Sequence, residues 1–462
     1  MTPGTDRSTL DFVLARAADA DDFDRWVSQG RSARWCCHPI RLTGSTTTLD
    51  PTSGEVLGRY STMTEPDGTL IKACGQRRAT TCPQCAEIYR ADAWHLIAAG
   101  LRGGKGVPRS VVEHPMAFVT LTAPSFGPVH SQRERDGRSR PCRNGSFAPC
   151  PHGRPRTCGA IHEPGDDQLG QPLCMDCFDY RRAVLWNALA TELWRRTTIG
   201  ISRGLAAESG MTVAALERSA RVSFIKVVEY QQRGVVHLHV VVRVDGASGP
   251  DCPPKITNAI LAQAIRQAAR SARVAYPVGA GVAGSAAWGR EIDLRPIAMN
   301  GLRADAVAAY IAKYATKSTD PLGRLDHKLK PSDLALLDLP PHLDRLVRTA
   351  WELGGRPELA DLRLRNWAHT LGFRGHWLTK SRRYSTTFAA LRGARGNWNR
   401  RRTAVTPDVS DAIAVKDWHY IGRGWANSGD SWLAETAAAD LVEQRRLARE
   451  DRQRHAAAPS DL

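Results

Sequence analysis

The 462-residue chain has no apolar run that approaches the roughly 18 residues needed to cross a bilayer. Its opening stretch, MTPGTDRSTLDF, lacks the basic and then apolar order of a signal peptide. Acidic residues are few relative to basic ones, 47 against 64, so the formal net charge is +17. We therefore expect a cytoplasmic protein without a membrane segment, whose partners are polyanions, nucleic acid before an anionic surface.

Internal repeats and long low-complexity tracts are also lacking, and the order of periodic segments indicates the fold class. Two β-branched runs, RVSFIKVVEY and VVHLHVVVRV, are separated by QQRG, which predicts a hairpin. Strands interleaved with helices predict an α+β domain with a central antiparallel sheet flanked by helices. The expected organisation is a segment 1–30, a zinc-binding module 31–106, the α+β domain 110–320 with a Cys/His-rich insertion 141–179, and a mostly helical, basic C-terminal region 321–462.

The chain has eleven cysteines, and in a reducing compartment these are more often metal ligands or buried thiols than disulfides. The spacing of Cys82 and Cys85 in CPQC, with Cys74 eight positions earlier, is typical of a structural zinc site. Cys37 is the expected fourth thiolate, with Cys36 or His38 as substitutes. Such a site would stabilise a module too small to hold itself together, and buried thiols are the alternative.

A second group of ligand candidates lies in a Gly/Pro-rich stretch: Cys142, Cys150, His152, Cys158, His162, Cys174 and Cys177. Seven candidates exceed one tetrahedral site, so some are spare or a second ion binds. The preferred set is Cys150, Cys158, Cys174 and Cys177, and His152 and His162 are the first replacements. We expect this zinc-rich insertion to shape DNA contacts rather than to perform chemistry.

The strand VVHLHVVV carries two histidines, His237 and His239, on one face because side chains at i and i+2 of a strand point the same way. Two imidazoles can hold a divalent ion, and Glu229 at the end of the preceding strand could add a carboxylate. A carboxylate with two imidazoles suits Mg²⁺ or Mn²⁺ bound to a phosphate oxygen. Two unrelated histidines and a solvated glutamate remain the alternative, since strand pairing decides which face Glu229 takes.

The segment AAYIAKYATKS predicts a helix with Tyr310 and Tyr314 on one side, four residues apart. Lys313 and Lys317 have the same spacing on an adjacent side. A bound divalent ion can polarise a phosphate that a tyrosine attacks, and an ammonium such as that of Lys317 can stabilise the developing charge. Two core tyrosines on an amphipathic helix are the alternative.

A basic stretch from Arg374 to Arg402 contains no acidic residue and has interleaved aromatics. Cations that contact phosphate and aromatics that stack on unpaired bases predict a DNA-binding surface. The residues selected for it are Lys380, Arg382, Arg383, Trp377 and Arg395. A solvated charged face is the alternative.

Three motifs in order, FVTLTAPS, GVVHLHVVV and YIAKYATK, resemble those of the HUH endonucleases that initiate rolling-circle replication. The chain resembles most closely the RepSA-type initiators of actinomycete plasmids and integrative elements. The resemblance implies that His237 and His239 bind the metal, that Tyr314 is the nucleophile and that Tyr310 is a second one. For the second cut, the family also includes members that use a carboxylate-activated water instead of a second tyrosine. The resemblance also implies a 5′-phosphotyrosine link at a single-stranded or hairpin origin, a 3′ hydroxyl primer, and a host helicase and polymerase as partners.

The same sequence features are compatible with two other functions. A relaxase or a transposase would use the same chemistry on a different DNA end. A non-catalytic, zinc-dependent DNA-binding regulator would need the zinc clusters and the positive charge, but neither the histidine pair nor the tyrosine helix.

Overall fold

The computed structural model describes residues 7–142, 148–250, 256–297, 304–316, 325, 327–403 and 412–457. The chain divides into two compact units, the first made of Met1–Ala91 with Arg392–Leu462 and the second of Asp92–Leu391. The first unit is therefore assembled from the two ends of the chain. This division differs from the expected boundaries at 31–106, 110–320 and 321–462.

The helices are α1 (Arg7–Ala17), α2 (Ala20–Ser32), α3 (Pro83–Arg102), α4 (Tyr180–Glu208), α5 (Val213–Ser219), α6 (Asn258–Ser271), α7 (Ala304–Thr316), α8 (Pro341–Leu353), α9 (Phe388–Thr403) and α10 (Ser428–Ala457). The strands are β1 (Ile40–Leu49), β2 (Val56–Ser61), β3 (Leu70–Lys72), β4 (Met116–Leu121), β5 (Arg133–Arg135), β6 (Arg138–Arg140), β7 (Ala220–Tyr230), β8 (Val236–Gly246), β9 (Arg273–Ala275), β10 (Ser285–Ala287), β11 (Ile292–Pro296), β12 (Leu378–Lys380) and β13 (Ile413–Arg423). Antiparallel sheets and helices together make this a mixed α/β protein, as the order of periodic segments predicts.

In the first unit, β1 pairs with β13 on one side and with β2 and β3 on the other. The β1–β13 ladder runs from Ile40 opposite Arg423 to Leu49 opposite Ile413. Beside the sheet, the ring centroids of Trp26, Trp35 and Trp425 lie 5.4 to 6.3 Å apart. Residues 412–457 therefore belong to the same core as residues 20–72.

The described part of the C-terminal region is mostly helical, as expected, and it also contributes two strands. β13 completes the sheet of the first unit, whereas β12 forms an edge of the sheet in the second unit. Each strand pairs with a partner that is more than a hundred residues away in the sequence. A local pattern does not contain such a partner, so periodicity alone favoured helices here.

The second unit contains a five-stranded antiparallel sheet in the order β11, β4, β8, β7, β12 among the described residues. One face is apolar: alternate side chains of β8, from Val236 to Val244, pack against α4 and α6. Burial of each such aliphatic side chain contributes about 1.5 to 3 kcal/mol. Gly200 and Gly204 of α4 face Ala268 and Ala264 of α6, so the two helices approach closely.

The turn between β7 and β8 is held by groups from outside the hairpin. The buried amide of Asn187, in α4, donates to the carbonyls of Gly234 and Leu371 and accepts from the N–H of Val236, each at 3.0 Å. Arg233 donates to the carbonyls of Pro124 and Ala123, which follow β4. These contacts tie the hairpin to α4 and to the neighbouring strand.

No helix in the described part of the chain is both long and apolar enough to span a bilayer.

We expect Asn187→Ala to lower the free energy of opening of the β7–β8 hairpin by about 2 to 4 kcal/mol, because three buried backbone groups lose their partner. Native-state hydrogen exchange, followed by mass spectrometry on peptides from residues 220–246, measures this quantity. Arg203→Ala, an exposed change on the same helix, should alter it by less than about 0.5 kcal/mol. Equal protection in both variants would contradict the role of Asn187.

Candidate active site

The histidine pair lies on β8, where side chains alternate between the two faces of the sheet. Val236, Leu238 and Val240 point into the apolar core and are at most 1% exposed. His237 and His239 therefore point to the opposite face, and their ring centroids lie 4.5 Å apart. The strand alone thus determines that both imidazoles share one face.

Glu229 joins this pair because of the register between β7 and β8. It lies directly opposite His237, and residues opposite each other in an antiparallel pair share a face. Its Oε2 is 2.9 Å from Nε2 of His237 and 3.4 Å from Nε2 of His239. The three side chains offer ligand atoms that all lie within 4.8 Å of one another. Two imidazoles and a carboxylate at this spacing could hold one divalent ion.

Thr120 lies behind His239 and was missed in the sequence. It is opposite His239 in the β4–β8 ladder, and its Oγ1 is 3.2 Å from Nδ1 of that ring. A partner on Nδ1 orients the ring and leaves Nε2 facing Glu229. Its place in the motif FVTLTAPS was the available signal.

The tyrosine helix α7 packs against the same face of the sheet. The ring of Tyr314 is stacked on His239, with centroids 4.6 Å apart and planes at 28°. Tyr310 meets His239 edge to face at 5.6 Å and Tyr314 at 4.7 Å. The tyrosines and the three ligand candidates thus form one cluster. Lys317 lies outside the described residues.

Two contacts position α7 on the sheet. The ring of Phe118, on β4, lies 5.8 Å from Tyr310 at 89° and 6.0 Å from His239 at 8°. Near the start of α7, Asp305 accepts a hydrogen bond of 2.6 Å from Arg102, the last residue of α3. This exposed ion pair is worth at most about 1 kcal/mol, so aromatic packing contributes more to the placement of α7.

The environment of Tyr310 favours a protonated phenol. Burial raises the pKa of Tyr310 to about 12, and a hydrogen bond with Tyr314 makes the next largest contribution to this increase. Its hydroxyl would lose the proton only when phenolate charge is stabilised by a neighbouring group.

The first cysteine cluster, in the first unit, consists of Cys36, Cys74, Cys82 and Cys85. The sulfur atoms of Cys36 and Cys82, of Cys36 and Cys85, and of Cys74 and Cys85 are each 3.6 Å apart. This spacing is far longer than a disulfide bond. It is close to the roughly 3.8 Å between sulfurs of a tetrahedral zinc site with Zn–S bonds of about 2.3 Å.

The expected ligand Cys37 is replaced by its neighbour Cys36. Cys36 is fully buried among the other three thiols, whereas the thiol of Cys37 donates to Oε1 of Gln84 at 3.0 Å. Adjacent side chains point in different directions, and spacing alone does not reveal which one enters the cluster. His38 also lies outside it.

The seven candidates of the insertion, together with His130, form two clusters, which agrees with the alternative of a second site. The first consists of Cys150, His152, Cys174 and Cys177. Nδ1 of His152 is 3.3 Å from Sγ of Cys177 and 3.7 Å from Sγ of Cys174. His152, the expected replacement, thus takes the place that was assigned to Cys158.

The other cluster consists of His130, Cys142, Cys158 and His162. His130 was not among the candidates, although it lies twelve positions before Cys142. Nε2 of His162 is 3.6 Å from Sγ of Cys158, and Nδ1 of the same ring is 2.6 Å from a carboxylate oxygen of Asp166. A carboxylate behind a histidine is the usual arrangement at zinc.

Two of the residues selected in the basic stretch, Trp377 and Lys380, make contacts within the second unit. Trp377 packs between Tyr230 and Phe373, at 5.3 and 5.2 Å. The ammonium of Lys380 donates to backbone carbonyls, among them that of Ser385 at 2.7 Å. Both side chains therefore contribute to packing or hydrogen bonding within the second unit.

The arginines of the stretch differ in their surroundings. Arg382 and Arg383 are exposed in the second unit, although Arg383 also donates to the carbonyl of Ala247. Arg395 is half-buried and belongs to the first unit. A run that looked continuous in the sequence is thus divided between the two units.

Comparison with known proteins gives two matches that cover nearly the whole chain. Residues 22–439 match the family model described as "RepSA: Replication initiator protein, pSAM2". A relative from Streptomyces ambofaciens named "Replication initiator protein" is 42% identical over 462 residues, which covers 96% of each chain. No solved structure matches the chain.

We expect Cys36→Ser to remove one equivalent of bound zinc and Cys37→Ser to retain it, because Cys36 alone of the two lies in the thiol cluster. Inductively coupled plasma mass spectrometry of the purified variants measures the metal content. A structural zinc site contributes of the order of 10 kcal/mol to folding, so Cys36→Ser should also lower the melting temperature. Retained zinc in Cys36→Ser, or its loss in Cys37→Ser, would contradict the assignment.

Proposed function

The chain belongs to the RepSA family of replication initiator proteins, and from this premise we propose that it nicks one strand of origin DNA to start rolling-circle replication. The supporting observation is the stacking of Tyr314 on His239, which lies beside Glu229 and His237. A nucleophile and a divalent-ion site that share one sheet face match the arrangement of HUH endonucleases. A DNA-binding regulator would need neither.

Glu229, His237 and His239 fit a divalent cation such as Mg²⁺ or Mn²⁺. They supply one oxygen and two nitrogen donors on a rigid ladder, and Thr120 orients one of the rings. When bound there, such an ion would polarise the phosphate that the nucleophile attacks.

In the proposed step, the phenol oxygen of Tyr314 forms a bond to phosphorus and the bond from phosphorus to the 3′ oxygen breaks. The phenol proton leaves and the 3′ oxygen gains a proton, which yields a primer hydroxyl. The 5′ phosphate stays on the tyrosine, so the bond energy is conserved and rejoining needs no further energy source. Host polymerase and helicase would then extend the primer and displace the strand.

Tyr310 is proposed as a second nucleophile. It lies one helical turn from Tyr314, beside the same histidine. One hydroxyl could therefore remain esterified while the other attacks a new phosphate. The raised pKa of Tyr310 suits a group that stays protonated until that later step.

DNA contact is expected from the net charge of +17 and from exposed cations such as Arg382 and Arg383. We propose a structural role for the three Cys/His clusters, with zinc as the ion that their ligands prefer. Ions in these clusters would hold together segments that have little apolar core.

We expect Tyr314→Phe to abolish the covalent protein–DNA adduct, because the attacking oxygen is removed while the ring that packs on His239 stays. The assay incubates the protein with Mn²⁺ and single-stranded origin DNA and detects a denaturation-resistant adduct by electrophoresis. DNA affinity, measured by fluorescence anisotropy, should remain within about twofold, since one hydroxyl contributes little to binding.

The matched control is Tyr420→Phe, an exposed tyrosine of the first unit, which should leave the adduct unchanged. Tyr310→Phe should form the first adduct but fail to transfer it to a second strand. An undiminished adduct in Tyr314→Phe would move the nucleophile elsewhere. The absence of an adduct on either origin strand would refute the nicking function.

We expect Glu229→Gln to weaken Mn²⁺ binding at this site by at least tenfold, because a charged ligand becomes neutral. Thr120→Val should weaken it by about 10- to 100-fold through loss of ring orientation. Electron paramagnetic resonance of the unbound ion measures the affinity without reference to activity. His419→Ala, at an exposed histidine of the first unit, is the control. Equal Mn²⁺ affinity in all three variants would exclude the proposed site.

A further inference from the structure

A pocket of about 700 Å³ lies on the opposite face of the central sheet from the tyrosine cluster. It is lined by residues of β7, α4, β12 and the segment 361–376. Its volume falls in the range of small-molecule sites. The nicking chemistry proposed above makes no use of it.

Lys226 projects into this pocket from β7. Side chains along a strand alternate between its two faces, so Lys226 points to the face opposite that of Val227 and Glu229. Its side chain therefore points away from the histidines. Lys226 is only 4% exposed, and burial lowers its pKa to about 8. A buried ammonium costs free energy unless an anion faces it, and such groups are common at binding sites.

Two buried polar atoms of the pocket lack a hydrogen-bond partner within the described ranges. They are Nε1 of Trp194, a side chain 4% exposed, and Oγ1 of Thr379. Thr379 lies directly opposite Lys226 in the β7–β12 ladder, so the hydroxyl and the ammonium are neighbours. Buried polar atoms are nearly always paired, so these two atoms, next to the ammonium of Lys226, indicate that the pocket suits a polar ligand.

The charges around the pocket favour an anion. Arg363 and Arg374 are exposed cations at its lining. Glu192 is already engaged by Arg195 at 2.6 Å and Arg196 at 2.9 Å. Asp361 also lines the pocket, which leaves the cations in excess.

Arg363 has a left-handed backbone conformation, with φ of 50° and ψ of 39°. A residue other than glycine adopts this conformation at a cost, and such strain is concentrated at functional sites. Arg363 joins two short helical turns, Pro357–Leu362 and Leu364–Thr370, and lines the pocket.

Aromatic rings form the apolar part of the pocket. Trp194 and Phe224 meet edge to face at 5.1 Å, and Trp367 lies on the lining contributed by the segment 361–376. Aromatic surfaces beside a buried cation suit a ligand that has both a planar ring and a phosphate.

We propose that this pocket binds a nucleotide with an unpaired base, with the phosphate at Lys226 and the base against Trp194 and Trp367. Such a nucleotide has two sources, single-stranded DNA or a free mononucleotide. The proposal does not depend on the nicking chemistry, because no residue of the tyrosine cluster takes part.

Photocrosslinking of the full chain tests the proposal. The probes are oligo(dT) with a single 5-iodouracil and free 5-iodo-dUMP, both without added Mg²⁺ or Mn²⁺, so that cleavage cannot contribute. Peptide mass spectrometry locates the crosslinks. We expect attachment at Trp194 or Trp367. Suppression by unlabelled oligo(dT) but not by dTMP would indicate a strand, and suppression by dTMP alone a mononucleotide.

The variant Lys226→Met should reduce these crosslinks and weaken binding of the effective probe by about tenfold or more, because a charge-assisted contact is lost. Its melting temperature should stay equal or rise, because the desolvation cost of a buried ammonium is removed. Lys328→Met removes the same charge from an exposed position outside the pocket and should alter neither quantity.

Three results would overturn the proposal. Crosslinks outside the pocket with both probes would show that no nucleotide binds there. Undiminished crosslinks in a folded Lys226→Met protein would show that the ammonium does not recognise the phosphate. Competition by inorganic phosphate as strong as that by dTMP would show that the base makes no contact. A different result would support the proposal. If Tyr314→Phe loses the covalent protein–DNA adduct but keeps the pocket crosslinks, the two sites are separate.

Discussion

Hydrogen bonds between β7 and β8 set the register on which the candidate active site depends. Because Glu229 lies opposite His237, a carboxylate and two imidazoles share one face of the sheet. A slip of one residue would turn the imidazoles into the apolar core and the valines toward solvent. Asn187 and Arg233 hold the connecting turn to α4 and to the segment after β4, so neighbouring elements oppose such a slip.

Strand β7 has side chains of opposite charge on its two faces. Glu229 contributes a buried carboxylate beside two imidazoles that can share a cation. Lys226, three positions earlier, contributes a buried ammonium to a pocket lined by aromatic rings and arginines. The thickness of the sheet separates the two groups, so the carboxylate does not neutralise the ammonium. This arrangement lets one rigid ladder support a proposed metal site on one side and a proposed nucleotide site on the other.

The Cys/His clusters occur where the chain has little apolar material. The segment 142–177 is rich in glycine and proline, and its two clusters connect positions that a hydrophobic core would otherwise hold. An ion in each would contribute of the order of 10 kcal/mol, enough to order such a segment. Residues that are close in the sequence belong to different clusters: His152 is in one and Cys158 is in the other. The path of the folded chain, and not the spacing in the sequence, therefore determines which ligand candidates lie together.

The sequence by itself determined the mixed fold, the shared face of His237 and His239, and the helix that presents Tyr310 and Tyr314, because alternation and helical periodicity are local. It also marked most of the clustered cysteines. The tertiary structure alone decided which face Glu229 takes. It decided as well the choice of Cys36 over Cys37, the two clusters in the insertion, the division of the basic stretch, and the pairing of β13 with β1. These features depend on partners distant in the chain, and packing against such partners selects the direction in which a side chain points.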